Sequence, residues 1–257
     1  MQQLDQVLYE AKDGIAYVTL NYEERLNALS HGIRKGLRSA MDLVEQDEQV
    51  RVMILTGAGR AFCAGGDISG FQQIKTMVDV ERFARDVMTL FNRMEKLPKP
   101  IIAAVSGLAL GGGLELCLAS DIVIASDKAK FGVPEPRIGL VPGFAIGRLF
   151  DLLGRNKASY LMMTAEPISA EEAERIGLIS LVVPHDQLMG KAVEVAKKIM
   201  ESAPLAVSLL KTAANRELGG DDMVFCIEAT AKLFATEDQK EGMDAFLNKR
   251  KPNFKGH

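Results

Sequence analysis

Apolar positions change period several times along the chain, and those changes predict its elements. Residues 7–10 and 15–21 are short runs rich in strand formers, separated by Lys12-Asp13-Gly14, a hairpin signal. Ser30 precedes Ile33, Leu37, Met41 and Val44, the spacing of one helix face. Residues 50–56 predict a buried strand closed by Gly57-Ala58-Gly59, and Met77, Val80, Phe83, Val87 and Phe91 predict a helix over 76–95. Residues 100–105 and 121–126 read as strands, with a helix entered through glycines over 111–120 between them. Such β–α alternation predicts parallel strands joined by crossover helices.

Past about Gly154 the character changes. Residues 152–164, 170–176, 186–202, 205–218, 221–235 and 237–249 predict helices, with only 179–183 strand-like among them. Asp221 and Thr236 are N-cap candidates, since their side-chain oxygens can accept from orphan backbone donors. The chain reads as an α/β core (1–200) followed by a helical region (201–257) that is not an independent domain.

Composition narrows the class. Of 257 residues, 47% are hydrophobic and 25% charged, an ordinary globular balance. The formal charge of −3 gives no electrostatic reason to expect nucleic acid or an anionic membrane as partner, although a local basic patch is compatible with it. Cys63, Cys117 and Cys226 are odd in number and irregular in spacing, which fits neither a disulfide framework nor a metal site. The first residues carry acids and lack an apolar signal region, and no apolar run approaches the roughly 20 residues needed to span a bilayer. A cytoplasmic protein without metal, membrane or nucleic-acid partner is the expectation.

Three stretches carry candidate chemistry: Ala61–Asp67 (AFCAGGD), Leu108–Asp121 (LALGGGLELCLASD) and Phe131–Gly143 (FGVPEPRIGLVPG). Gly111-Gly112-Gly113 stands between a strand and a helix, where unpaired N–H groups and the helix dipole favour an anion. A tight packed turn explains the same glycines, and the G-x-G-x-x-G spacing of a dinucleotide site is absent. Glu115 follows among Leu114, Leu116, Cys117 and Leu118, so its carboxylate is desolvated unless paired or protonated. A partly exposed carboxylate at a helix start is the structural alternative. Glu135 lies between Pro134 and Pro136, whose rings keep the segment out of a helix and present the side chain from a stiff extended or turn-like piece. It could equally be a surface turn. Ala64, Gly65 and Gly66 form a loop offering backbone N–H groups with little bulk, and Asp67 can cap the next helix. Cys63 is better read as a packed residue than a nucleophile, because none of His31, His185 and His257 sits in a recognisable motif.

Taken together these stretches resemble the crotonase (enoyl-CoA hydratase/isomerase) superfamily. The order A-F-C-A-G-G-D-I, A-L-G-G-G-L-E-L and F-G-V-P-E-P-R-I-G-L-V-P-G follows the family pattern and spacing. R-L-N-A-L at Arg25–Leu29 and the tail from Thr236 to Pro252 extend the resemblance over nearly the whole chain. It implies an α/β, crotonase-like (ClpP/crotonase) fold with repeated β-β-α units and a helical C-terminal region. It also implies an enoyl-CoA hydratase with no cofactor, coenzyme A being part of the substrate, assembled as a homotrimer or homohexamer through the C-terminal helical region 201–257. By resemblance the Ala64 and Gly112 N–H groups form the oxyanion hole, Glu115 activates water, and Glu135 delivers a proton. Gly143 corresponds to a family glycine near the catalytic water. Coenzyme A would lie along Arg25, Ala28, Ala64, Gly65, Gly66, Asp67, Ile68 and Gly112, with Arg25 and Lys249-Arg250-Lys251 as candidate phosphate partners, the latter equally readable as a solvated basic tail.

The chain departs from the pattern in two places. Tyr22-Glu23 replaces the usual Arg-Pro, and Pro142-Gly143-Phe144-Ala145-Ile146-Gly147-Arg148-Leu149 replaces P-G-A-G-G-T-Q-R-L, one residue shorter and bulkier. Phe144 and Ile146 are therefore expected to reshape the acyl pocket, toward a branched or cyclic group. Rival readings are an enoyl-CoA isomerase needing one carboxylate, an RNA-binding relative, and a serine or cysteine hydrolase.

Overall fold

A computed structural model describes residues 1–67, 76–215 and 236–257. The hairpin forms as its turn predicts: β1 (Gln2–Leu4), β2 (Val7–Lys12) and β3 (Ile15–Leu20) pair antiparallel, with Asp13 and Gly14 at positive φ in the turn. Helix α1 (His31–Gln46) starts at Ser30, whose Oγ accepts from the Ile33 N–H at 3.1 Å.

Three β-β-α units come next. The first is β4 (Val52–Gly57), β5 (Ala61–Cys63) and α2 (Met77–Lys96). The second is β6 (Ile101–Val105), β7 (Leu108–Leu110) and α3 (Gly112–Leu118). The third is β8 (Ile122–Ser126), β9 (Lys130–Gly132) and α4 (Gly143–Thr164), the last broken at Gly154. Then come β10 (Ile168–Ser169), α5 (Ala170–Arg175), β11 (Leu181–Val183), α6 (Leu188–Met200), α7 (Pro204–Ala214) and α8 (Glu237–Leu247). Thr236 caps α8 through the Gln239 N–H. The helix expected over 221–235, its cap Asp221, and Cys226 lie outside the described residues.

Among the described residues the first strand of each unit joins a seven-stranded sheet, β1-β2-β3-β4-β6-β8-β11, parallel from β3 onward. The second strand of each joins a smaller sheet, β10-β9-β7-β5, in which β5, β7 and β9 are parallel. Both faces of the large sheet are covered. One packs into the main core with α1 and α2; the other, through Val52, Ile54, Ile102 and Ile124, meets Leu188, Ala192 and Ala196 of α6. This explains why its parallel strands are continuously apolar rather than alternating. The segment 61–67, read from sequence as a loop, begins as strand β5, which pairs with 108–110, and 108–110 pairs in turn with 130–132.

Helix α7 is pinned to the core by a buried ion pair, Lys211 Nζ to Asp121 Oδ2 at 2.8 Å. No helix among the described residues is long and apolar enough to cross a membrane.

Candidate active site

Because β5, β7 and β9 are parallel neighbours, the segments leaving them emerge at one edge of the small sheet. Those segments are Ala64–Asp67, Gly111–Glu115 and Pro134–Ile138, so the topology itself brings the three sequence stretches together. Ligands in open parallel sheets bind outside strand carboxyl ends for the same reason. A cavity of about 230 Å³ lies there, reached by Gly66, Gly112, Glu115 and Glu135. Gly111 sits at φ +52°, and a Cβ there would strike the Glu135 carboxylate. At Gly113 a Cβ would strike the Cys63 carbonyl, so β5 and α3 approach only through glycine.

Glu115 is 6% exposed. Its Oε1 accepts the N–H groups of Phe144 at 2.8 Å and Ala145 at 3.0 Å, both in the first turn of α4. Burial pushes its carboxyl above the ordinary carboxylate range, and those two N–H groups pull it part of the way back. Glu135 begins a 3-10 turn, Glu135–Ile138, the turn-like of the two expected forms; Pro136 is tolerated because N–H groups at a helix start have no partner to lose. Its carboxyl is raised to about 7, chiefly by burial, with its own backbone N–H opposing and the Glu115 charge adding. Its Oε2 is buried with no hydrogen-bond partner among the described residues. Two carboxyls that both resist ionisation in one cavity titrate as a coupled pair, able to present one acid and one base near neutrality.

The donor expected at Ala64 needs correction. Its N–H points away from the cavity and donates to the Leu26 carbonyl at 3.0 Å, holding the Arg25–Leu29 loop against β5. Two residues on, Gly66 lines the cavity, and among the described residues neither its N–H nor that of Gly112 has a partner.

Leu26 and Asn27 both take left-handed backbone, φ +52° and +56°. Asn27, fully buried, secures that shape by donating to the Ala58 and Ala61 carbonyls (2.9 and 2.8 Å) and accepting from the Tyr22 N–H at 2.8 Å. The motif R-L-N-A-L does not by itself single out Asn27. The available signal is that asparagine tolerates left-handed backbone better than other non-glycine residues. Arg25 is exposed and Ala28 buried on the same loop, Asp67 is half-buried beside Gly66, and Ile68 lies outside the described residues. All three cations of the basic tail cluster are exposed, and Arg250 is engaged by Glu241 at 2.7 and 2.8 Å and by Asp244.

One side of the cavity is apolar, walled by Phe83, Val87 and Met88 of α2 and by Leu140 and Val141. Phe144 and Ile146 are not among the described lining residues. The Phe144 ring turns back onto Phe91 with centroids 4.8 Å apart, and Ile146 faces outward at 39% exposure. Neither side chain therefore lines the cavity directly as expected, because their direction is set by the start of α4.

Among the described residues, neither Cys63 nor Ser126 is set up as a nucleophile. Burial pushes the Cys63 thiol up to about 12. His185 does meet a serine, its Nδ1 lying 3.0 Å from Ser126 Oγ, but Ser126 is fully buried and Asp127 contacts the serine rather than the imidazole. That order cannot relay a proton from an attacking hydroxyl.

Two carboxyls facing one apolar cavity beside unpartnered backbone donors define an acid–base enzyme. The Enoyl-CoA hydratase/isomerase family model matches residues 10–257, and the chain belongs to that family. It is 43% identical over 254 residues to the short-chain-enoyl-CoA hydratase of Clostridium acetobutylicum, covering 97% of each chain. It is 40% identical to the crotonyl-CoA hydratase of Syntrophomonas wolfei, covering 97% of this chain and 98% of that one. A crystal structure of enoyl-CoA hydratase from Bacillus anthracis superposes with a TM-score of 0.93 at 35% identity, over 98% of this chain and 100% of the other.

Proposed function

We propose that this protein is a 2-enoyl-CoA hydratase in which Glu115 and Glu135 add water across the double bond conjugated to the thioester. The observation that carries the reading is the pair of desolvated carboxyls on one small cavity. The thioester carbonyl oxygen sits between the Gly66 and Gly112 N–H groups, which bond it most strongly once it carries enolate charge. One carboxylate takes a proton from water as the oxygen bonds to C3. The π electrons shift to the carbonyl oxygen, and the enolate collapses as a proton is delivered to C2. We assign the base to Glu115, whose two backbone donors favour its ionised form, and the acid to Glu135, whose burial favours the protonated form.

The cavity volume and the relatives' names support a short acyl group. With Phe144 and Ile146 outside the lining, the ground for expecting a branched or cyclic one falls away. Coenzyme A is substrate, running out past Ala28, Gly65 and Asp67 toward Arg25. Assembly as a trimer or hexamer is part of the proposal, supported by apolar side chains exposed along α4, among them Phe150, Leu152, Tyr160 and Met163. A cytoplasmic setting fits the unpaired thiols of Cys63 and Cys117. The test is loss of conjugated absorbance from a panel of 2-enoyl-CoA thioesters. Turnover fastest on short unbranched members supports the reading, and none on any member overturns it.

A further inference from the structure

The first turn of α4 carries the two N–H groups that hold Glu115, yet no side chain caps that turn; Pro142 stands at its N-cap. Its hold comes from α2. Phe144 and Arg148 lie four residues apart on α4, and Phe91 and Glu95 four apart on α2, so each pair shares a helix face. The faces meet residue for residue. Phe144 packs on Phe91, while Arg148 forks onto Glu95, Nε to Oε1 at 2.7 Å and Nη2 to Oε2 at 2.7 Å. The guanidinium also lies over the Phe144 ring, its Cζ 5.3 Å from the centroid. Glu95 is 5% exposed, so its carboxylate depends on that fork.

We propose that Arg148 is a positioning residue for the reaction: by forking onto Glu95 and covering Phe144, it fixes the turn whose Phe144 and Ala145 N–H groups hold the Glu115 carboxylate. The proposal rests on Glu115 being the base. It requires arginine specifically. A planar fork fixes direction at two points and stacks on the ring, whereas a lysine keeps the charge opposite Glu95 but anchors one point. The ionisable groups facing Glu115 are Glu135 and the buried Cys63; α2 offers the uncharged Val87 and Met88, and α4 its backbone donors. A loosened turn weakens those donors, and Glu115 then holds its proton more tightly.

The experiment compares wild type with Arg148→Lys on crotonyl-CoA across pH, together with thermal melts. The expected result is a kcat lowered at least about tenfold, a KM within about threefold, and an acid limb of kcat moved to higher pH, in a folded protein. A kcat within about twofold of wild type, or a fall with an unmoved acid limb, overturns the proposal. Should Arg148→Lys fail to fold, Glu95→Gln combined with Arg148→Met, which removes both charges of the fork together, is read the same way. Wild-type turnover that Glu115→Gln abolishes secures the hydratase reading separately. Active wild type with an unaffected Arg148→Lys sinks only the positioning role, while inactive wild type sinks both.

Discussion

The Phe144 N–H donates to Oε1 of Glu115 at 2.8 Å, joined by the Ala145 N–H at 3.0 Å. A carboxylate buried among leucines would otherwise stay protonated and useless as a base. Two donors from a helix start, where the dipole also favours negative charge, hold one oxygen and permit ionisation. Glu115→Gln keeps an acceptor for both donors, so its melting temperature should stay within a few degrees while hydration falls by about 10²–10⁴. Turnover assays beside calorimetry check both halves.

Glu135 gives the fold a pH signature. Its folded carboxyl sits at about 7, above the ~4.3 of an unfolded glutamate. The folded state therefore binds this proton more tightly. The associated stability is fully present below about pH 4.3 and is lost as pH rises through about 7. Glu135→Gln should be more stable than wild type at alkaline pH by ~1–2 kcal/mol, a figure discounted for partial exposure, with the gap closing in acid. Urea denaturation at several pH values measures it; a constant gap would contradict the assignment.

At Gly112 the N–H can be removed or kept. Proline is tolerated at the first position of a helix but has no N–H. Gly112→Pro should lower kcat by about 10²–10³ with helix content retained by circular dichroism. Gly112→Ala keeps the donor, and the one close contact of its Cβ is the end of the Leu29 side chain, so it should retain far more activity.

Asn27→Ala would leave two carbonyls and one N–H without partners inside the protein and place alanine at φ +56°. A loss of about 2–4 kcal/mol in urea denaturation is expected, with a raised KM because the loop borders the proposed coenzyme path.

The elements that sequence predicts well are those with enough residues to show a period. Helices α1 and α2 and the hairpin at Lys12-Asp13-Gly14 appear where the pattern and caps place them. Strands β5, β7 and β9 have three residues each, too few for alternation to register, and so the small sheet is not visible in the sequence. The two glutamates are legible from motif spacing. Which N–H in A-G-G points inward is not, because it depends on where β5 ends and on Leu26 claiming the Ala64 N–H. Likewise Phe144 is plainly bulky, but its ring direction depends on contacts with α2, which no local pattern encodes.

The most direct test of the two-glutamate mechanism is to follow a short 2-enoyl-CoA thioester in water enriched in heavy oxygen. Loss of the conjugated absorbance is expected, with label appearing in the hydroxyl at C3. Glu115→Gln and Glu135→Gln should each lower the rate at least about a hundredfold. Migration of the double bond without label, with Glu115→Gln keeping most of its rate, would contradict the mechanism.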